Sequence, residues 1–337
     1  MREVEVSYTL VEINRDSFDI IEIEEKDIPR YSCEYINYYI GYHVSIREEI
    51  KEDDEIAVRI SSEYKGLPVI SEECLFRGLK LRKLDLHGFN VDNVITAKHC
   101  FYAFHCDEVI VDRLNFNNLI SAKEMFYGAV IKDIDFREWI ANKVEYSMYM
   151  FAMSNIKTVN LSQWCINKLS YAMGMFQGCD IDTLDISNWN IDDVSINRKY
   201  SFMLQEANIR HLISSRCLIQ YEKIDAAYMF YNCNIRLWTM KLDKYQFELD
   251  TYTISCISLG QIGEIELIEA GDFSERVLKV LDTSSRPEIN FTLINCNKTC
   301  EHKIRNTIKQ RILIDSKDSE RVASLFDISK LFIVAIK

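Results

Sequence analysis

The feature that most constrains this chain is a phenylalanine that recurs every 25 residues. The series runs without an insertion through Phe76, Phe101, Phe126, Phe151 and Phe176. Phenylalanine fills 17 of the 337 positions, so five in exact register are not expected by chance. A fixed period of this length is the sequence signature of a solenoid, in which each repeat packs only on its neighbours.

Other positions keep the same step and indicate the structure of one repeat. Two apolar columns that are two residues apart predict a strand with one buried face. They are Leu84, Val109, Ile134, Val159 and Leu184, and Leu86, Val111, Phe136, Leu161 and Ile186. The apolar residues that precede each phenylalanine have the spacing of a short helix. One repeat is therefore predicted to be a strand, a loop and a helical turn.

The phenylalanine series loses its exact spacing towards the C-terminus. Phe202 comes one residue later than the period requires, and Phe230 follows 28 residues after it, in the segment AAYMFYNC. We expect both residues to continue the phenylalanine column with a looser register.

Three segments, LRKLDLHGFNVDNV, VNLSQWCINKLSYAMGMFQGC and LDISNWNIDDV, resemble BspA-type leucine-rich repeats, most closely the mycoplasma-lipoprotein subtype. The entry segment IAVRISSEYKGLPVISEECLFRG is similar to the Treponema-type repeat of the same superfamily. The resemblance covers residues 56–240 and implies an interaction or adhesion module without naming a ligand. It brings no catalytic residues with it.

The predicted fold class is α/β. Residues 56–241 are expected to form a leucine-rich-repeat-like solenoid of about six 25-residue repeats. Residues 1–55 are expected to form an acidic, β-rich cap, because alternating apolar residues from Val4 to Leu10 and from Phe18 to Ile23 predict a hairpin. Residues 242–337 contain strand-like and helix-like stretches and are predicted to form a small α/β domain, with degenerate final repeats as the alternative.

The net charge of −12 is concentrated near the N-terminus, where residues 1–80 hold 19 acidic and 10 basic side chains. We predict a partner-binding acidic segment that consists of Glu48, Glu49, Glu52, Asp53, Asp54 and Glu55. Such a surface disfavours direct binding of nucleic acid, whose phosphates require positive charge, and it favours a basic protein partner. A solvated face that only aids solubility is the alternative.

A second candidate surface is the outward face of the predicted sheet. The residue between the two apolar columns is acidic or amidic in four of five repeats, and it stacks at the strand spacing of about 4.8 Å. We predict partner contacts for Asp85, Asp112, Asp133, Asp135, Arg137, Asn160 and Asp185. An inert solvated face is the competing interpretation.

A search for catalytic motifs returns no nucleotide-binding glycine loop, no nucleophile elbow and no metalloprotease motif. The pair of runs His99–Cys100 and His105–Cys106, and the run Cys296, Cys300 and His302, have the residue types of a zinc site. Inward packing of the cysteines is the favoured interpretation of the first. We therefore expect no catalytic residues, no metal and no cofactor.

The first residues of the chain lack the apolar core of a signal peptide, and no stretch approaches the roughly 20 apolar residues of a membrane span. Eleven scattered cysteines favour reduced thiols. We expect a cytoplasmic, non-enzymatic interaction module with a basic protein partner and no membrane contact. The alternatives are a phage or mobile-element inhibitor of a host nucleic-acid-binding defence enzyme, a surface adhesin-type repeat protein, and an enzyme whose active site is in the C-terminal domain.

Overall fold

Parallel strands stack into a solenoid of about seven turns, each of which we call a coil. The computed structural model describes residues 1–27, 38–111, 114–137, 139–164, 166–189, 198–215, 224–225, 227–241, 261–268, 290–294 and 312–314. The predicted repeat solenoid is confirmed.

The strands of the described residues are, in chain order, β1 (Arg2–Val4), β2 (Val6–Asn14), β3 (Ile20–Glu22), β4 (Tyr38–Ile46), β5 (Asp54–Val58), β6 (Glu63–Tyr64), β7 (Leu67–Ser71), β8 (Lys80–Asp85), β9 (His105–Ile110), β10 (Val130–Ile134), β11 (Asn155–Ile156), β12 (Thr158–Asn160), β13 (Asp180–Ile186), β14 (Arg198–Lys199), β15 (Asn208–Ser215), β16 (Ile224–Asp225), β17 (Asn234–Lys241), β18 (Gln261–Ile268), β19 (Asn290–Ile294) and β20 (Ile312–Ile314). The main sheet has the order β1-β5-β8-β9-β10-β11-β13-β15-β17-β18-β19-β20, and β12 pairs with β13.

The phenylalanine column forms the centre of the core. Phe126 is fully buried, and its ring stacks on Phe101 at 4.8 Å and on Phe151 at 5.1 Å between centroids. Like residues therefore lie over like residues, and each coil completes its apolar interior with atoms from the next. The two predicted strand columns also point inward, with Val111 partly buried and the other members buried.

The predicted helical turn is wrong, because the residues around each phenylalanine form consecutive β-turns. Within the described residues the one helical element is a 3-10 turn at Glu25–Asp27. In the turn around Phe126, Glu124 and Gly128 have φ of 54° and 64°. The N–H groups of Glu124, Phe126 and Gly128 donate to carbonyl oxygens of the next coil at 2.9, 2.7 and 2.8 Å. A helix would use these donors within its own coil, whereas the turns use them to join coils.

The expected place of Phe202 in the column is also wrong. The N–H of Phe176 donates to Met203, and that of Leu204 donates to Met229, so Leu204 occupies the column between Phe176 and Phe230. Phe202 instead has a φ of 59° and stacks on Tyr228 at 5.6 Å. A leucine fills the buried position, and a sequence search for phenylalanine alone therefore selects the wrong residue.

Each regular strand contains a third buried column that simple alternation does not predict. Leu81 and Leu84 are both buried although they are three positions apart, whereas a regular strand buries every second residue. The two residues between them, Arg82 and Lys83, consequently both face outward. The same pattern recurs in later coils, where Cys106, Ile131, Ile156, Ile181, Ile209 and Ile235 are buried.

The N-terminal residues form the predicted β-rich cap. β2 pairs antiparallel with β3 and with β4, and β4 pairs parallel with β7 of the first coil. The β2–β3 hairpin also folds back over the side of the solenoid, where Val11, Ile13 and Phe18 form a buried cluster with Ile70 and Ile95. The cap therefore covers both the open end and one side of the first coils.

At the C-terminal side, β18, β19 and β20 continue the parallel ladder from β17. The helix-like stretches expected in residues 242–337 lie outside the described residues, except that Ile312, expected at the end of one of them, begins β20. The boundaries of the three predicted domains, and the separate α/β character of residues 242–337, stay predictions.

Candidate partner-binding surface

The outward face of the main sheet carries a cationic column that the sequence interpretation missed. In each strand two consecutive residues face outward, and the first of the two forms this column. Its members are Arg82, Asp107, Lys132, Lys157, Asp182, Arg210 and Arg236. Basic residues outnumber acidic ones in this column, and Lys132 and Arg210 have more than half of their side-chain surface exposed. The available signal was a third apolar column three residues before the first one.

Opposite charges in neighbouring coils pair across this face. Asp107 contacts Lys132 at 2.6 Å, Asp182 contacts Arg210 at 2.9 Å, and Lys83 contacts Glu108 at 2.8 Å. Stacking in register would otherwise place like charges about 4.8 Å apart, which is unfavourable. The acidic column predicted from the sequence therefore lies beside cations rather than on a uniformly acidic face.

Four residues of the predicted contact site have a structural task. The side-chain Oδ1 of Asp85, Asp135, Asn160 and Asp185 accepts the backbone N–H two residues ahead, at 2.8 to 3.0 Å. This is an Asx turn, in which a short polar side chain replaces a backbone acceptor. These residues lie at or next to the ends of their strands, where the chain turns out of the sheet.

Two of these carboxylates are also paired with cations. Asp85 is 9% exposed and lies 3.2 Å from Arg59 and 2.7 Å from the His87 ring nitrogen. The bidentate hydrogen bonds from Arg137 lower the pKa of Asp135. Both interactions reduce the charge that these aspartates can offer to a partner.

The remaining predicted residues of this face differ in their surroundings. Asp133 is exposed. Asp112 lies outside the described residues. Thr158 is exposed and Thr183 is half-buried at the positions equivalent to Asp133 in the next two coils. The accessible chemistry of the middle coils is thus a mixture of hydroxyl, amide and charged groups.

The acidic segment, Glu48 to Glu55, lies at the N-terminal end of the same sheet. Arg2 pairs with Glu48 and with Asp54, the latter at 3.0 Å. Lys80 contacts Glu52 at 3.0 Å, and Arg82 pairs with Glu55. Among the described residues Glu49 and Asp53 have no ion pair within 4.0 Å. Asp53 and Glu52 line a pocket of about 290 Å³ together with polar and apolar residues of the next coils, among them Leu81, His105 and Val130.

The cysteine and histidine run of the second coil does not form a metal site. Cys100 is fully buried, and burial raises its pKa far above the usual value. His99 points instead to Glu124 at 3.3 Å. Among the residues that the structure describes, no group of three His, Cys, Asp or Glu side chains could hold a metal ion. Cys296, Cys300 and His302 lie outside the described residues.

None of the helices in the described part of the chain has both the length and the apolar character needed to span a bilayer.

The comparisons with known proteins agree with the repeat architecture. Residues 70–189 and 104–217 match a family model described as "Mycoplasma protein of unknown function, DUF285". No curated protein and no solved structure matches the chain. The two overlapping matches cover the regular coils, so this chain is similar to a mycoplasma-type repeat protein, while the closer likeness to BspA-type repeats stays a prediction.

Proposed function

We propose that this protein is a non-enzymatic interaction module that binds a basic protein partner along its sheet face, with the acidic segment at one end of the contact. The observation that carries the proposal is the contrast between inward and outward columns. The inward columns that contain Leu84, Leu86 and Phe126 are apolar in every regular coil, whereas the column of Lys83, Glu108, Asp133, Thr158 and Thr183 changes chemistry from coil to coil. The stability of the core requires the apolar inward columns. Recognition of a partner would account for the varied chemistry of the outward column.

The charge distribution supports a basic partner. Ion pairs on the surface leave the excess of nine acidic side chains in residues 1–80 in place. Glu49 and Asp53 extend this negative region beyond the pairs with Arg2, Lys80 and Arg82. Long-range attraction would steer a basic protein to this end of the sheet, and it would weaken as salt rises.

The sheet face would supply specificity. Asp85, Asp135, Asn160 and Asp185 are engaged in Asx turns, so contacts fall mainly to exposed neighbours such as Asp133 and Lys157. A mixed row of donors, acceptors and both charges favours one complementary partner over a generally basic one.

The test is affinity capture of partner proteins from cells of the source organism, at low salt and at about 0.5 M salt. The Glu49→Gln/Asp53→Asn double variant removes the two unpaired charges of the acidic segment and leaves the ion pairs intact. We expect it to recover less of one basic protein at low salt. Asparagine at position 53 also tolerates the positive φ of 66° found there.

The matched control is Glu63→Gln/Asp92→Asn, which removes two exposed charges outside the main sheet. It should capture as much as the parent protein. Equal recovery by both variants, or capture that survives high salt unchanged, would contradict a role for the acidic segment.

A further inference from the structure

Glu72 is a carboxylic acid in an apolar interior. Its side chain is fully buried, and neither carboxylate oxygen has a hydrogen-bond partner among the described residues. The equivalent positions of later coils carry small residues, namely Ala97, Ala122, Ser147 and Ala172. A buried polar group without a partner is costly, so this position calls for an explanation.

The residue lies at the joint between the cap and the solenoid. The preceding residue, Ser71, ends β7, and its hydroxyl is 3.1 Å from the ring of His43 on β4. Leu10, Tyr42 and Val44 of the cap belong to the same buried cluster as Phe76 of the first coil. Glu72 thus directly follows the strand of the first coil that pairs with the cap.

The other titratable groups around the joint are accounted for. Glu73 accepts a hydrogen bond from Thr96 at 2.7 Å and lies 3.7 Å from Lys98. From the second coil, Cys100 interacts electrostatically with Glu72, and His99 is held by Glu124. From the cap, Glu22 of β3 and His43 of β4 act on each other, and Cys74 is exposed. None of these groups is a cation that pairs with Glu72.

The cap hairpin covers an apolar column on the side of the solenoid. The hairpin lies over Ile70 and Ile95, and Ile120 packs at the edge of the same cluster. In the next two coils this column changes to Glu145 and Ser170, so the apolar stretch ends near the tip of the hairpin, where the ring of Phe18 contacts Tyr146. Detachment of the hairpin would therefore expose a continuous apolar column three coils long.

We propose that this joint is a proton-controlled latch, which stays closed while Glu72 is protonated and releases the cap from the side of the solenoid when Glu72 ionises. Because each coil contacts only its neighbours, opening at the first coil need not unfold the later ones.

The sign of the pH dependence follows from linkage. Burial raises the pKa of Glu72 from 4.5 to about 8. The folded joint therefore holds a proton that the open state releases, and closure weakens as pH rises from about 4.5 to about 8. Burial lowers the pKa of His43 below 6.5, which stabilises closure above pH 6.5 and is lost as pH falls. Burial also raises the pKa of Glu73, which weakens closure in the same direction, so variants of Glu72 are needed to separate the two carboxyl groups.

The experiment is hydrogen exchange of the full chain between about pH 6.5 and 8, with rates corrected for intrinsic exchange. Protection of amides in β4 and β7 should fall by nearly tenfold per pH unit around pH 6.5, which is the effect of one released proton, and less steeply towards pH 8. Amides of Phe151 and Phe176, which donate to the next coil, serve as internal references and should keep their protection.

Glu72→Gln should abolish the pH slope in β4 and β7, and Glu72→Ala, which has the residue of three equivalent coils, should do the same if the amide variant folds poorly. Glu63→Gln, an exposed change on β6, should retain the slope of the parent protein. A slope that persists in both Glu72 variants, or an equal loss of protection at Phe151 and Phe176, would overturn the latch.

Discussion

The regular coils and the later coils stack in the same way but differ in the number of residues per coil. From Phe76 to Phe176 every step is 25 residues, whereas Leu204 follows after 28 and Phe230 after 26. Trp164 precedes Tyr171 by seven positions, and Trp189 precedes the equivalent Lys199 by ten, so the three extra residues lie between these two positions. The comparison shows that the inward columns and the N–H donors of the turns keep their register in both regions, whereas the number of residues that connects them varies.

The two regions also differ in where their strands end. β10 has five residues, whereas β15 and β17 have eight each. In the regular coils an Asx turn forms at Asp135 or Asp185, and the backbone N–H two residues ahead donates to the aspartate side chain. Ile213 and Thr239 occupy the equivalent positions in β15 and β17, and the ladder continues past them.

The largest expected effect tests whether Leu204 replaces the phenylalanine. Phe126→Ala should lower the free energy of unfolding by about 3–5 kcal/mol, because it leaves a cavity between two stacked rings. Leu204→Ala should cost about 2–5 kcal/mol for the same reason. Chemical denaturation measures both.

The control for these variants is Phe126→Leu, which places the residue of the later coil in a regular one. It should cost less than about 1.5 kcal/mol, since the swap keeps most of the apolar volume. A neutral Leu204→Ala would remove Leu204 from the buried column.

An effect of intermediate size tests whether Asp185 on the sheet face contributes to stability through its Asx turn. Asp185→Ala removes the Asx acceptor for the N–H of Ser187 and should cost about 1 kcal/mol of unfolding free energy. Asp185→Asn keeps an acceptor oxygen and should leave stability within about 0.5 kcal/mol of the parent. Thermal or chemical denaturation would show the contrast, and equal losses in the two variants would argue against the Asx turn.

The smallest expected effect is an increase in the free energy of unfolding. Ala103 and Glu206 adopt φ of 52° and 58° at equivalent turn positions, where three regular coils have glycine. Ala103→Gly and Glu206→Gly should each raise the free energy of unfolding by up to about 1 kcal/mol, as relief of left-handed strain exceeds the added flexibility of the unfolded chain. Ala129→Gly, a buried alanine without positive φ, should destabilise instead. Gains confined to Ala103 would indicate that the later turns differ from the regular ones.

Much of the fold was predictable because a strict period reports nearest-neighbour packing. The columns that contain Leu84 and Leu86 identified the buried strand face, and alternation from Val4 to Leu10 identified the cap hairpin. The β-turns around each phenylalanine were not predictable from spacing, which indicated a helical turn instead, since residues such as Glu124 give no sign of a left-handed conformation. Hydrogen bonds to a neighbouring coil decide that conformation, and no local propensity contains them.

The candidate surface was predicted less well, for two physical reasons. The extra outward residue, such as Arg82, adds a column that simple alternation hides. Pairing between coils, such as Asp107 with Lys132, is set by register and cannot be read from either residue alone. Glu72 was missed because a charged residue among acidic neighbours suggests a solvated position, and only its place in the alanine column marks it as buried.

The hydrogen bonds of the phenylalanine turns all run the same way. N–H groups of each described turn, from Cys74 to Glu206, point to carbonyl oxygens of the coil that follows. Peptide dipoles in these turns therefore add along the solenoid axis, as they do in an α-helix. The column has a negative pole at its first coil and a positive pole at its last. The two ends of the stack are chemically inequivalent, so a molecule that continues the column must donate hydrogen bonds at one end and accept them at the other.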